Sequence, residues 1–269
     1  MTWNLDLFRT ELRFAVLGSG SRGNCAVVWS GRHAVLVDCG LPTRRTLAGL
    51  KAVGVEPDWI DGIFLTHEHT DHVGGADAIA RRLGVPVHCT AGTRVGIKLH
   101  PDVQVRTVRA GVSVRCGPMT VEPFAVPHDT AEPVGFVVGV GAHRVGFATD
   151  MGSVRESVVR VLRTCRAVLL EFNHDEHMLW HGEYPLFLKE RVGSDRGHLS
   201  NRQAAALLSR LAGGRVERVV LGHISGQNNR RDLVLNAAQA ALDSSDQDVV
   251  LSIADQDTPS AVMHLHDRG

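Results

Sequence analysis

Three imidazoles and a carboxylate fall within six positions at His67, His69, Asp71 and His72, directly after the apolar run Gly62-Ile63-Phe64-Leu65. Imidazole and carboxylate are the donors that divalent zinc, manganese or iron accept, and a turn at a strand end can aim closely spaced side chains at one small volume. His67 and His69 share a face if the chain is still extended there, because side chains two apart point the same way. Asp71 and His72 then open a helix over Val73 to Leu83 and can face a second, adjacent ion. The motif alone therefore predicts a metal site with room for two cations.

The elements around it follow from hydrophobic period. Phe14 to Leu17, Cys25 to Trp29 and Ala34 to Val37 read as strands joined by tight turns, an antiparallel opening. Ile60 to Leu65, a helix over Gly75 to Leu83 and the strand Val85 to Cys89 form a strand-helix-strand unit in which parallel pairing is expected. From Val103 to Val126 the apolar residues alternate as in hairpins, and Val134 to Val140 with Arg144 to Ala148 make another. Helix 154–163, strand 167–170, helix 201–211, strand 218–221, helix 232–242 and strand 249–253 complete the chain. Ser200 with Gln203 three places on has capping-box spacing for the helix from Asn201. No linker, low-complexity tract or repeat interrupts the pattern, which predicts one α/β domain over residues 1–269.

Strand after strand ends in an ionisable residue: Asp38, His67, His128, Asp150, Glu171 and His223. In α/β architectures the loops at one sheet edge build the site, so residues far apart in sequence can converge. Asp38 leaves two readings open, a cap for the helix over Thr43 to Val53 or a partner that holds a metal-site loop. The glycine-rich turn Gly18 to Asn24 lacks a Gly-Lys-Ser/Thr ending and no helix follows, so it is a poor phosphate loop. Its Ser19, Ser21 and Asn24, with His174 and Asn201 further on, are candidates for substrate contact. Lys189, Arg191, Arg196, Arg202, Arg230 and Arg231 could follow a nucleic-acid backbone, or form a solvated face. Trp180, Tyr184 and Phe187 lie on one insertion and could stack on bases or fasten the insertion to the domain. His177 reads as a surface-loop residue or a substrate contact, and His264 and His266 as surface or strand-end residues.

With 269 residues, 43% hydrophobic and 22% charged, the chain is an ordinary globular sequence, and its zero net charge argues against a protein that coats DNA non-specifically. Its five cysteines are widely spaced and sit in apolar runs, as reduced small hydrophobes do. Asn4, Asp6, Arg9, Glu11 and Arg13 interrupt what a signal peptide would need, and no apolar run reaches a membrane span. A cytoplasmic protein without a membrane partner is expected, as monomer or homodimer.

The series His67-x-His69-x-Asp71-His72, His128, Asp150 and His223 resembles the metallo-β-lactamase fold superfamily. That resemblance implies a four-layer αβ/βα sandwich of two mixed β-sheets flanked by helices. More narrowly, Leu17 to Asn24, Val37-Asp-Cys-Gly40, His128-Asp129, Leu170 to Asp175 and Ser194 to Asn201 are similar to the YycJ/WalJ-like subgroup of DNA exonucleases. Phe172 stands where that subgroup usually has a small residue, a difference expected to touch packing. The resemblance implies that His67, His69 and His128 hold one metal, Asp71, His72 and His223 the other, and that Asp150 bridges them. Asp71, Glu171 and His198 would be the catalytic residues, with Glu171 orienting His198 to protonate the leaving alkoxide while a metal-bridging hydroxide attacks phosphorus. The expected cofactors are two divalent ions, zinc or manganese, with iron possible.

The expected function is thus a two-metal phosphodiesterase, a DNA exonuclease of 5′-to-3′ direction by resemblance. A hydrolase of small cyclic phosphodiesters is the nearer alternative. A glyoxalase II-like thioester hydrolase could use the same metal set, but a thiolate leaving group would not require Glu171 and the Gly197-His198 loop. A metal-binding regulator without turnover fits poorly with a complete donor set.

Overall fold

The computed structural model describes residues 11–243 and 247–266. Of the residues read against a signal peptide, Asn4, Asp6 and Arg9 lie outside the described residues. The first sheet is laid down by β1 (Leu12–Gly18), β2 (Cys25–Ser30), β3 (His33–Val37), β4 (Ile60–Phe64), β5 (Val87–Cys89) and β6 (Val105–Thr107). The second is built from β7 (Val114–Cys116), β8 (Met119–Ala125), β9 (Val134–Val140), β10 (His143–Ala148), β11 (Ala167–Glu171), β12 (Arg218–Gly222) and β13 (Val250–Ile253). A last strand, β14 (Met263–Leu265), returns to the outer edge of β1. Each sheet has seven strands, in the orders β14-β1-β2-β3-β4-β5-β6 and β13-β12-β11-β10-β9-β8-β7. Pairing is antiparallel from β14 to β3 and from β7 to β10, then parallel through β6 and β13 respectively.

Strand period two assigns each side chain to a layer. Phe14 and Val16 point between the sheets, where they meet Val145, Phe147, Ala167 and Leu169. Ala15 and Leu17 point outward to Leu50, Ile79 and Ala80 on α1 (Thr43–Ala52) and α3 (Ala76–Leu83). On the second sheet Val168 and Leu170 face α5 (Glu156–Leu162), α8 (Asn201–Ala212) and α9 (Arg231–Leu242). Both faces of each sheet are thus buried, the condition under which strands read as continuous apolar runs. The two mixed sheets flanked by helices expected from sequence are present. Edge-to-face contacts of Phe14 with Phe147 at 6.4 Å and Phe64 with Phe136 at 5.7 Å tie sheet to sheet. Phe172 is fully buried in the helix-side core of the second sheet. All five cysteines are free and buried. Among the described residues no helix is long and apolar enough to cross a membrane.

Several elements depart from the sequence reading: β6, expected within a run of hairpins, pairs in parallel with β5, and β14 is not anticipated by it. The helix expected from Val73 is broken into α2 (Thr70–Val73) and α3 at Gly74-Gly75. Gly75 donates its N–H to Cys39 O, and a Cβ there would lie 2.2 Å from Leu41 O, so a neighbouring loop overrides helical continuity. The segment after Cys89 forms α4 (Ala91–Gly96), capped by Thr90, and the insertion of Trp180 and Phe187 forms α6 (Glu176–His181) and α7 (Leu186–Val192). The capping box at Ser200 and Gln203 forms as expected.

His88 has no role at the strand ends but sets a pH dependence. Its ring stacks on Phe64 at 4.2 Å with both nitrogens buried and unpartnered, and burial lowers its pKa from the ordinary 6.5 to about 4. The unfolded chain therefore binds a proton near pH 6.5 that the folded chain refuses until about 4. This contribution to stability is present above pH 6.5 and is lost as pH falls to 4, by up to about 3 kcal/mol. Urea unfolding between pH 4 and 7 should show a shallower pH slope in His88→Leu than in the parent, and equal slopes would refute the assignment.

Candidate active site

The strand ends of both sheets meet at one edge, and the backbone turns sharply there. Asp38, Asp150 and His223 have φ of 57°, 57° and 51°, and among the described residues they are the non-glycine residues in this left-handed region. Such conformations cost free energy and persist where the surroundings over-determine them. Each follows a buried strand, and each turn swings a side chain into or beneath the cluster.

The imidazoles are oriented by a common device. Nδ1 of His72 lies 2.8 Å from Asp38 Oδ2, Nδ1 of His223 lies 3.1 Å from Glu171 Oε1, Nδ1 of His128 donates to Gly197 O at 3.0 Å, and Nδ1 of His67 lies 2.9 Å from Thr66 Oγ1. Their Nε2 atoms are left for the centre. His69 is reversed: its Nδ1 sits 3.1 Å from His67 Nε2 and 3.3 Å from His128 Nε2, while its Nε2 faces Arg191.

These contacts resolve the two readings of Asp38. It does not cap α1, whose N-cap is Pro42; it accepts from Thr66 N at 2.8 Å and Thr66 Oγ1 at 2.9 Å while holding His72. The glycine-rich turn has a similar task. Asn24 N donates to Asp71 O at 2.7 Å and its amide to Asp71 Oδ2 at 3.2 Å, while Ser19 Oγ accepts from His223 N at 2.8 Å. Gly40 allows that approach, since a Cβ there would lie 1.7 Å from Asp71 O.

Among the described residues four donor groups have ligand atoms within 4.8 Å of one another: His67, His69 and His128; Asp71, His72 and His223; His67, His72 and Asp150; and Asp150, Glu171, His198 and His223. Asp150 stands between the sets, with Oδ2 3.1 Å from His72 Nε2 and Oδ1 3.8 Å from His128 Nε2 and 3.6 Å from His223 Nε2. Asp150 Oδ2 and His223 Nε2 are buried without a hydrogen-bond partner, which suits atoms whose partner is a cation. The donors are all nitrogen and oxygen, a chemistry that fits divalent metal ions.

Charge is arranged to match. Burial would raise Asp150, but the adjoining His223 and His72 hold it well below the carboxylate range. Asp71 is lowered against burial by the adjoining His223 and His72, and Glu171 is lowered to about 2 against burial, chiefly through His198. Burial holds His67, His69 and His128 below the ordinary imidazole value, so they present lone pairs. His72 and His223 are raised despite burial, first by Asp150, and His223 reaches about 10. Metal uptake must displace those protons, so it weakens in acid. Because the donor sets form in the fold and not in the unfolded chain, zinc or manganese at 100 times its dissociation constant should stabilise the protein by about 2.7 kcal/mol. A thermal shift of several degrees that EDTA reverses would report this; an unchanged midpoint would refute the site.

His198 lies beside the cluster, its Nδ1 2.7 Å from Glu171 Oε1 and 3.6 Å from Asp150 Oδ1. Glu171 is fully buried, and its Oε2 accepts from Met151 N at 2.9 Å and Leu199 N at 3.2 Å. A cavity of about 350 Å³ opens over His69, Asp71, Asp150, His198 and His223.

The five expected substrate contacts fare unequally. Ser21 is exposed and lines the cavity. Ser19 and Asn24 do not; they are buried and spent on supporting His223 and Asp71. Asn201 is buried and paired with Asn229, and His174 is buried beneath the site with its pKa lowered to about 4 by burial, so neither is a surface or cavity residue. Of the six basic residues only Arg191 lines the cavity, where its Nε donates to Asp129 Oδ2 at 2.5 Å. Arg202 pairs with Glu176, Arg230 with Asp232 and Arg231 with Asp255. Sequence reasoning missed Asp129, Asn173 and Asn228 as cavity residues, although each neighbours a strand-end motif.

Fold and donor set together define the class, a metal-dependent hydrolase of the metallo-β-lactamase fold. The Beta-lactamase superfamily domain matches residues 33–224, and the chain belongs to that superfamily, within its YycJ/WalJ-like subgroup. It is 32% identical over 237 residues to exodeoxyribonuclease YycJ of Bacillus anthracis, covering 86% of this chain and 89% of that protein. To exodeoxyribonuclease WalJ of Streptococcus pneumoniae it is 30% identical over 227 residues, covering 82% and 84%. The metallo-β-lactamase fold protein YhfI from Bacillus subtilis superposes with a TM-score of 0.73 at 17% identity, over 95% of this chain and 100% of that one, a likeness of fold.

Proposed function

We propose that the protein is a two-metal phosphodiesterase that shortens DNA from an end, in the 5′-to-3′ direction. The observation that carries the reading is the His198–Glu171 pair at 2.7 Å beside the shared Asp150. An alkoxide leaving from phosphorus needs a proton, and an imidazole fixed by a buried carboxylate at the edge of the cavity is placed to give one. A thiolate would leave without it. The two relatives named exodeoxyribonucleases, alike over most of both chains, favour DNA over a small diester.

In this reading His67, His69 and His128 would hold one ion and Asp71, His72 and His223 the second, with Asp150 placed between the two sets. Zinc or manganese there would supply Lewis acidity, lowering the pKa of a water toward neutrality and offsetting charge on the phosphoryl oxygens. The chain's own residues do the rest. Asp38 and Glu171 fix the tautomers of His72 and His223, Asn24 steadies Asp71, and His198 delivers the proton to the departing oxygen.

The test is to incubate the protein, with manganese or zinc, on end-labelled double- and single-stranded DNA and RNA beside an Asp150→Ala control. Shortening of DNA from its 5′ end, absent in the control, is the expected result. Intact nucleic acid with cleavage of bis-p-nitrophenyl phosphate would move the assignment to small phosphodiesters. Turnover of thioesters alone would overturn phosphodiester chemistry.

A further inference from the structure

The arm formed by α6 and α7 has two faces. Tyr184, Leu188, Arg191 and Val192 line the cavity together with Ser21, Ser225 and Asn228. On the outer face Phe187 is 71% exposed and Leu186 65% exposed, large apolar side chains turned to solvent at the lip of a polar site. The arm is nonetheless held firmly. Asp175 caps α6 by accepting from Met178 N at 2.9 Å, and its own N–H donates to Asn228 O at 2.8 Å. His198 N donates to Val192 O at 2.9 Å, so the end of α7 is fastened to the proton-donor loop itself. Exposed apolar surface on a well-anchored lip marks a contact site.

The size of the cavity decides what meets it. A cavity of about 350 Å³ is near the lower end of ligand-site sizes, which suits one nucleotide and not a base pair. A terminal nucleotide can enter so small a cavity only once it has left the stack. Resting on the nuclease reading above, we infer that the α6–α7 arm separates the last base pair of a DNA end. The terminal nucleotide enters the cavity with its base against Tyr184 and Leu188 and a phosphate near Arg191. Phe187, with Leu186 beside it, covers the newly exposed pair outside. Apolar and aromatic side chains perform both tasks in other settings, as wedges at base steps and as stacking platforms. Arg191 exchanges Asp129 for phosphate, an ion pair already at the cavity wall.

The experiment is single-turnover digestion of two duplexes that differ only at the attacked end, one closed by a G·C pair and one with its terminal nucleotide unpaired. The parent protein should digest the unpaired end about fivefold faster or more, since that end has no pair to open. Phe187→Ala should slow the paired end about tenfold and the unpaired end less than about threefold, and Phe187→Trp, which keeps a flat ring, should restore the paired rate. Phe187 is largely exposed, so its loss leaves the core intact. Equal slowing of both ends, or of neither, overturns the inference while leaving the nuclease reading in place. If neither duplex is shortened while bis-p-nitrophenyl phosphate is cleaved, the nuclease reading fails and this inference with it.

Discussion

Asp150→Ala should lower DNA hydrolysis about 10⁴-fold or more and abolish tight metal uptake, because several kcal/mol of transition-state charge stabilisation pass through the donors that it joins. Its Oδ2 lies 3.1 Å from His72, and its Oδ1 3.8 Å from His128 and 3.6 Å from His223. Removing it leaves His72 and His223 without the carboxylate that raises them most. Alanine also strains a position at φ 57°, by roughly 1–2 kcal/mol. Asp150→Asn separates the two effects, since asparagine tolerates that backbone and retains the shape while losing the charge. The expected result is a folded Asn variant of near-parental melting temperature without metal, equally inactive. Metal content by elemental analysis, read beside the rate, decides it; an Asn variant that keeps the parent's metal content would remove Asp150 from the donor set.

His198→Ala should behave in the opposite way, keeping its metal and losing about 10²- to 10⁴-fold on DNA, the range of a positioned general acid. The loss should shrink to a few-fold with bis-p-nitrophenyl phosphate, whose nitrophenolate departs without a proton. That dependence on the leaving group is what a merely structural histidine would not show. Glu171→Gln is the less clean variant. Glu171 Oε1 serves both His198 at 2.7 Å and His223 at 3.1 Å, and its Oε2 accepts two backbone N–H groups. An amide would turn an N–H₂ toward donors on one side or the other, so metal affinity and proton transfer should fall together. Equal losses on DNA and on the nitrophenyl ester in His198→Ala would take the acid role from this residue.

The sequence by itself determined the metal motif, because His67, His69, Asp71 and His72 are local and their donors need only one strand end and one turn to converge. It also determined that Phe14 to Leu17 form a strand, since the run is short and wholly apolar, and it determined the start of α8, since a capping box is a contact across three residues. Tertiary structure alone decided what each strand end does. Asp38, Ser19 and Asn24 became supports for His72, His223 and Asp71 through contacts across 34, 204 and 47 positions, which no local pattern encodes. The left-handed turns at Asp38, Asp150 and His223 are only weakly signalled by residue type, because aspartate and histidine enter that region more readily than most residues but do so where surrounding hydrogen bonds hold them. The arm of Tyr184 and Phe187 was visible as a cluster of aromatics, but which ring faces the cavity and which faces solvent was fixed by where α7 is fastened to His198. Spacing along a chain constrains neighbours within a turn or a strand; long-range pairing fixes the rest, and most of this site is long-range.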